Sequence, residues 1–154
     1  AASAKLKATF HQTEQVLTVA TRGPGFALDE TLYLDGRTDP SNQQLLGATS
    51  LKTRTAWSND YKQLVETHQI KTKQGKEGQL IIKRYLINDG KSMVVAFTLK
   101  LNPEPQITSA RQIWHKQMNL PSTFVGSGAT IFEKISRAFL FSEKPFRRLS
   151  VLAL

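Results

Sequence analysis

The segment LIIKRYLINDGKSMVVAFTLKLN, residues 80–102, constrains the fold of this chain more than any other stretch. Two apolar-rich runs flank the polar tetrapeptide Asn88-Asp89-Gly90-Lys91. An Asp-Gly pair supplies the positive φ angles that a tight hairpin turn requires, and in the second run apolar residues recur at every other position, as in a strand with one buried face. We therefore predict two antiparallel strands, 79–87 and 92–101, joined by a short turn.

The same alternation of strand and turn extends over the first 117 residues. Clusters rich in Gly, Pro, Asp and Asn break the chain at residues 23–25, 35–42 and 74–78. The predicted strands are 5–11, 15–22, 27–35, 51–57, 61–73, 79–87, 92–101 and 106–116. Antiparallel strands joined by short loops tend to close, because closure removes exposed edges. We predict an all-β fold, an up-and-down antiparallel meander that closes into a barrel of about eight strands.

Chain length and cysteine usage exclude several classes of protein. A chain of 154 residues suits one domain with a core better than two. No apolar run approaches the roughly 20 residues of a membrane-spanning helix. There is no cysteine, which excludes disulfides, thiolate metal sites and cysteine nucleophiles. The chain begins with Ala1-Ala2-Ser3-Ala4, whose small side chains are typical of signal-peptidase sites. We expect a fragment or a processed product, with a periplasmic or secreted location.

The formal net charge of +9 favours acidic partners in principle. The basic residues are spread along the chain without a block of like charge, so a solvated basic surface explains them better than a dedicated polyanion site. Trp57 and Trp114 have basic neighbours and would suit stacking on single-stranded nucleic acid. Lone tryptophans on strands are more often packed, and we do not expect nucleic acid as a partner.

The composition changes at Met118, after which five of the eight phenylalanines occur. Thr130 and Glu133 have the spacing of a capping box, and an apolar stripe is formed by Ile131, Ile135 and Phe139. We predict that residues 118–154 form a C-terminal extension with an amphipathic helix over 130–141. The helix either packs on the barrel, the nearer place for burial, or contacts an anionic membrane surface or a partner.

Two hairpins and one strand end carry a family resemblance over about residues 14–117. Their matching positions are Trp57, Asn59, Asp60, Leu64, Val65, Glu66, Thr67, Asp89, Gly90, Lys91, Val94, Val95, Lys116 and Gln117. In these positions the chain resembles small bacterial lipocalin-like β-barrel proteins, which are mostly uncharacterised and exported. The patterns of that family are "W-dG-dkLvvet", "yslsdDGktlvv" and "vy-KQ". The resemblance implies a lipocalin-like barrel over residues 1–117. A Gly-Thr-Trp-like first strand, usual in the family, is missing, and residues 118–154 extend past the usual end.

The barrel interior is the predicted location of any ligand. Strand alternation puts one apolar set on a single face: Met93, Val95, Phe97, Leu99 and Leu101. Leu17, Val19, Leu32 and Leu34 are their predicted inward partners. Small barrels fill this space with side chains, whereas larger ones hold a small molecule. We interpret these residues as ordinary core in preference to the walls of a lipid pocket.

Arg54, Arg84 and Arg111 fall near the middle of three predicted strands. An inward arginine would bind a carboxylate or phosphate head group through its planar fork. Related lipid-binding barrels use internal arginine and tyrosine in this way, although no tyrosine follows Arg111-Gln112-Ile113. Polar residues on antiparallel strands more commonly face solvent than the barrel interior. Glu66 and His68, at alternate positions of another predicted strand, could likewise face either side. The candidate ligand-binding residues are Arg54, Arg84, Arg111, Tyr85, Phe97 and Trp114.

The sequence carries little material for catalysis. The histidines, His11, His68 and His115, lack metal-ligand spacing, and no serine lies in a nucleophile-elbow pattern. We predict a noncatalytic protein, without cofactor or metal, that binds a small hydrophobic or amphipathic molecule inside the barrel. The alternative is a surface-interaction module with a filled barrel, whose basic face and C-terminal tail contact an anionic membrane or a polyanion.

Overall fold

The turn at residues 88–90 shows how local chain chemistry builds the sheet. In the computed structural model, which describes residues 5–45 and 47–127, Asn88, Asp89 and Gly90 have φ angles of 52°, 54° and 79°. These three residue types adopt the left-handed region more readily than others. The amide of Lys91 donates to the Asn88 carbonyl at 3.1 Å, which closes the turn and joins two paired strands in the predicted place.

Eleven antiparallel strands are found in the described residues. They are β1 (Lys5–Gln12), β2 (Val16–Gly23), β3 (Phe26–Tyr33), β4 (Asp35–Pro40), β5 (Gln44–Leu45), β6 (Ala48–Trp57), β7 (Leu64–Thr72), β8 (Glu77–Ile87), β9 (Ser92–Leu101), β10 (Ile107–Gln117) and β11 (Leu120–Ser127). The predicted all-β, antiparallel class is confirmed. The predicted number of about eight strands is wrong, because β4, β5 and β11 were not anticipated.

The strands form one sheet that is nearly closed into a barrel. Their order is β3-β2-β1-β11-β10-β9-β8-β7-β6-β4, and β5 also pairs with β6. Most neighbours are successive in the chain, as in a meander. The exceptions are β4, which pairs with β6, and β1, which pairs with β11 from Lys5 opposite Ser127 to Thr9 opposite Thr123. A seam therefore remains between β3 and β4, the two ends of the order.

Two of the unpredicted strands have a physical reason for their unusual composition. β4 pairs with β6 alone and ends at Pro40, a residue without an amide hydrogen that edge strands tolerate. β11 contains Gly126, where a Cβ atom would lie 2.6 Å from Cδ2 of Trp114. Glycine is needed there because the indole ring lies against the β11 backbone. Turn-forming residues thus occur inside strands for reasons of pairing and packing.

The core is the barrel interior. Alternate residues of the strands point inward and form one apolar cluster that includes Leu6, Leu17, Leu32, Leu80, Val95, Leu99 and Trp114. All nine apolar positions that the sequence assigned to the inner face are buried. No helix within residues 5–45 and 47–127 is long and apolar enough to cross a membrane. The helix predicted over 130–141 lies outside the described residues.

Candidate functional site

A chain of polar side chains crosses the barrel interior on three neighbouring strands. Ser50 of β6 and His68 of β7 share a hydrogen bond of 2.8 Å between Oγ and Nδ1. His68 Nε2 donates to Oε1 of Glu66, and Nη1 of Arg84, on β8, donates to Oε2 of the same carboxylate at 2.5 Å. Ser50, Glu66 and His68 are fully buried. They point inward for the same reason as their apolar neighbours, since alternation along a strand does not depend on polarity.

Glu30 of β3 extends this cluster across the seam. Its Oε2 lies 3.6 Å from Nη2 of Arg84, so one guanidinium faces two carboxyl groups. Burial, reinforced by the charge of Glu66, raises the pKa of Glu30 to about 7. Burial also opposes the ionised form of Glu66, but the Arg84 charge and the His68 hydrogen bond outweigh it and lower the pKa of Glu66 to about 2. Arg84 and Glu66 therefore form the charged pair, and Glu30 changes its charge near neutral pH.

Ser50, His68 and Glu66 carry the functional groups of a hydrolytic triad. A nucleophilic serine must reach a substrate carbonyl, however, and its base must be able to exchange a proton with the substrate. All three side chains are fully buried, and none lines either of the two cavities described below. The arrangement favours a structural role. Within the described part of the chain, no three His, Cys, Asp or Glu side chains are placed to hold a metal ion.

A cavity of about 830 Å³ lies at one end of the barrel, here called the mouth cavity. It opens where β1, β6, β8 and β10 end and where β2, β7 and β9 begin. Its apolar lining residues are Phe10, Leu17, Trp57, Leu64, Leu86, Met93 and Phe124. Its polar lining residues are His11, Gln12, Tyr61, Lys62, Arg84, Tyr85 and Lys116. This volume lies within the range of roughly 300–1,000 Å³ that small-molecule sites occupy.

A second cavity, deeper in the barrel, has a volume of about 70 Å³. It is lined by Phe97, Trp114 and other core residues, together with Glu30 and Gln112. Trp114 Nε1 donates to Gln112 Oε1 at 3.0 Å. The inner cavity is far below the roughly 300 Å³ of a typical ligand site. Arg84 lines both cavities, so its side chain lies between them.

The six candidate residues from the sequence fall in three places. Arg84 and Tyr85 line the mouth cavity, and Phe97 and Trp114 line the inner cavity. Arg54 and Arg111 are exposed and line neither cavity. Arg54 instead donates from Nε to the Gly36 carbonyl at 2.8 Å. Of the three arginines, Arg84 alone combines an inward position with contact to the cavities.

Sequence reasoning did not single out Glu30, Lys62 or the pair Phe10 and Phe124, and it named Lys116 as a position of the family pattern but not as a ligand-binding residue. The two phenylalanine rings meet edge to face, with centroids 5.7 Å apart. A signal for Glu30 was present, because it alternates with Leu32, which was predicted to point inward. The lysines carried no such signal, since they lie at a strand end and in a loop whose position the rest of the barrel determines.

Comparison with known proteins gave no match to any family model. Neither the curated proteins nor the solved structures contain a significant match. The candidate site is therefore interpreted from its own geometry.

Proposed function

We propose that this protein is a noncatalytic binding protein that holds one small hydrophobic or amphipathic molecule in the mouth cavity. The observation that carries the proposal is the cavity itself, an open space of about 830 Å³ whose buried wall is mostly apolar. Ligand affinity would come from removing apolar surface from water, at roughly 25 cal/mol per Å². A relation to lipocalin-like barrels and an exported location belong to the same proposal.

The lining residues support binding over a purely structural role for this end of the barrel. Leu17, Leu64, Met93 and Phe124 are buried by the strands around them and still line the cavity. Tyr61 is 78% exposed and Leu86 is 58% exposed, and both line the same cavity. Apolar surface that is grouped around a concave space is typical of a ligand site.

The test is titration of the purified chain with a fluorescent fatty-acid probe whose emission depends on its environment. We expect saturable binding that unlabelled dodecanoate displaces, and a rise in melting temperature with dodecanoate, because a ligand that binds only the folded state stabilises it. Leu17→Trp directs a large ring into the mouth cavity and should weaken binding by roughly tenfold or more, equivalent to about 1.4 kcal/mol.

Ile107→Trp is the matched control, because Ile107 is 60% exposed and does not line the cavity. Leu64→Trp repeats the test from another strand in case Leu17→Trp does not fold. The absence of both probe binding and thermal stabilisation would refute the proposed function. Equal probe affinity in Leu17→Trp and Ile107→Trp would show that the ligand binds outside the mouth cavity.

A further inference from the structure

The charges around the mouth cavity all have one sign. Arg84, Lys62 and Lys116 line it, and no aspartate or glutamate does so among the residues that the structure describes. The lysines come from separate parts of the chain, the loop before β7 and the end of β10. A cavity lined by charges of one sign attracts ligands of the opposite sign.

Arg84 is already neutralised by its neighbours. Its guanidinium donates to Glu66 at 2.5 Å and faces Glu30 at 3.6 Å, and its side chain is 11% exposed. An anionic group brought to Arg84 would meet the charge of Glu66 and, above neutral pH, that of Glu30. The deep end of the cavity therefore disfavours an anion.

Lys62 and Lys116 are in the opposite situation. Both are exposed, and neither forms a salt bridge within residues 5–45 and 47–127. Asp60 is near Lys62, whose backbone amide donates to Asp60 Oδ1 at 3.1 Å, but Asp60 does not line the cavity. The exposed side chains of Lys62 and Lys116 can turn toward a ligand without giving up an ion pair.

Polarity also changes with depth. The buried wall of the cavity includes Leu17, Leu64, Met93 and Phe124, whereas the two lysines are exposed. Building on the proposed function, we propose that the ligand is an anionic amphiphile that inserts its apolar chain among these four residues. Its carboxylate or phosphate head group stays at the opening, where Lys62 and Lys116 bind it.

The experiment compares ligands with one twelve-carbon chain and different head groups, by isothermal titration calorimetry below their aggregation concentrations. Dodecanoate and dodecyl phosphate carry an anion, dodecanol is neutral, and dodecylammonium is cationic. We expect the two anions to bind roughly tenfold more tightly than dodecanol, and dodecylammonium to bind most weakly, because charge pairs at an exposed rim are partly screened. The tighter of the two anions identifies the head group.

The lysine variants locate the head group. The double variant Lys62→Gln/Lys116→Gln should lose about tenfold in dodecanoate affinity and keep its dodecanol affinity within about twofold. The control Lys83→Gln/Lys100→Gln removes the same charge from two exposed positions that do not line the mouth cavity. It should bind dodecanoate like the unmodified chain.

Different failures separate the two proposals. If none of the four ligands binds, the proposed function fails and this inference fails with it. If dodecanol or dodecylammonium binds as tightly as dodecanoate, the site binds amphiphiles without a preference for anions, and only the inference is overturned. If Glu30→Gln raises dodecanoate affinity several-fold while Lys62→Gln/Lys116→Gln has no effect, the head group lies at Arg84. The assignment of the head group to Lys62 and Lys116 is then wrong.

Discussion

Strands β7 and β9 follow the same inward alternation and bury opposite chemistry. The inward residues of β9 are all apolar: Met93, Val95, Phe97, Leu99 and Leu101. On β7, Glu66 and His68 occupy the same kind of position between Leu64 and Ile70. Alternation therefore determines which residues face inward, and neighbouring strands determine whether a polar one finds a partner there.

The polar region is expected to respond to mutation differently from the apolar one. Removing one member of a buried ion pair leaves an uncompensated charge, whereas truncating an apolar side chain leaves a cavity. The first effect depends on pH and the second does not. Substitutions in each region, taken in order of decreasing effect, test this difference.

Arg84→Met should destabilise the protein by about 3–5 kcal/mol, because it leaves Glu66 buried without its cation. The measurement is the free energy of unfolding from urea denaturation at neutral pH. Arg111→Met is the control at an exposed position, and a change within about 0.5 kcal/mol is expected there. A similarly small change for Arg84→Met would show that the cluster adds nothing to stability.

Leu99→Ala should cost about 2–5 kcal/mol, since Leu99 is 2% exposed within the apolar cluster. The same denaturation at pH 5 and pH 8 should give the same loss, because no titrating group is removed. A loss that differs strongly between the two pH values would mean that the apolar region is coupled to the polar cluster.

Ser50→Ala should cost about 1–3 kcal/mol, because it leaves Nδ1 of His68 buried without a hydrogen-bond partner. Thr53→Ala serves as a comparison, since Oγ1 of Thr53 is buried and has no partner among the described residues. Thermal unfolding should rank Ser50→Ala below Thr53→Ala in stability. The reverse order would show that the Ser50 hydrogen bond does not stabilise the fold.

Glu30 and Glu66 should shape the pH dependence of stability in opposite directions. Because folding raises the pKa of Glu30 from 4.5 to about 7, the folded state holds the extra proton between these values, and stability should fall as pH rises through them. Because folding lowers the pKa of Glu66 to about 2, its contribution is present above 4.5 and is lost as pH falls toward 2.

Glu30→Gln should remove the decline between pH 4.5 and 7, whose slope is at most about 1.4 kcal/mol per pH unit. Urea denaturation at half-unit intervals of pH gives this slope directly. Glu14→Gln is the control, since Glu14 is exposed in the β1–β2 turn. An unchanged slope in Glu30→Gln would assign the decline to another group.

Much of the fold was predictable from local sequence. Asn88-Asp89-Gly90 identified a turn that the structure confirms, and the alternation of β9 identified an inner face that is buried. β4 and β11 were missed because they contain turn-forming residues, Gly36 and Pro40 in one and Pro121 and Gly126 in the other. Gly36 and Pro40 are accommodated by the edge position of β4, and Gly126 by its packing against Trp114, neither of which a local pattern contains.

The candidate site was predictable only in part. Arg84, Tyr85, Phe97 and Trp114 were singled out from the sequence and line the cavities. Arg54 and Arg111 had the same mid-strand position in the sequence and are exposed. The direction of a polar side chain follows from register, and a shift of one residue moves it to the other face.

Local sequence is enough to specify the all-β class, most of the hairpins and the apolar inner face, because turn chemistry and a period of two act between residues close in the chain. The three-dimensional fold is needed to show that β1 pairs with β11, that Glu30 meets Arg84 across the seam, and that Lys62 and Lys116 share one opening. Each of these joins residues more than fifty positions apart. Their proximity depends on how the whole sheet curves, and no local pattern encodes that curvature.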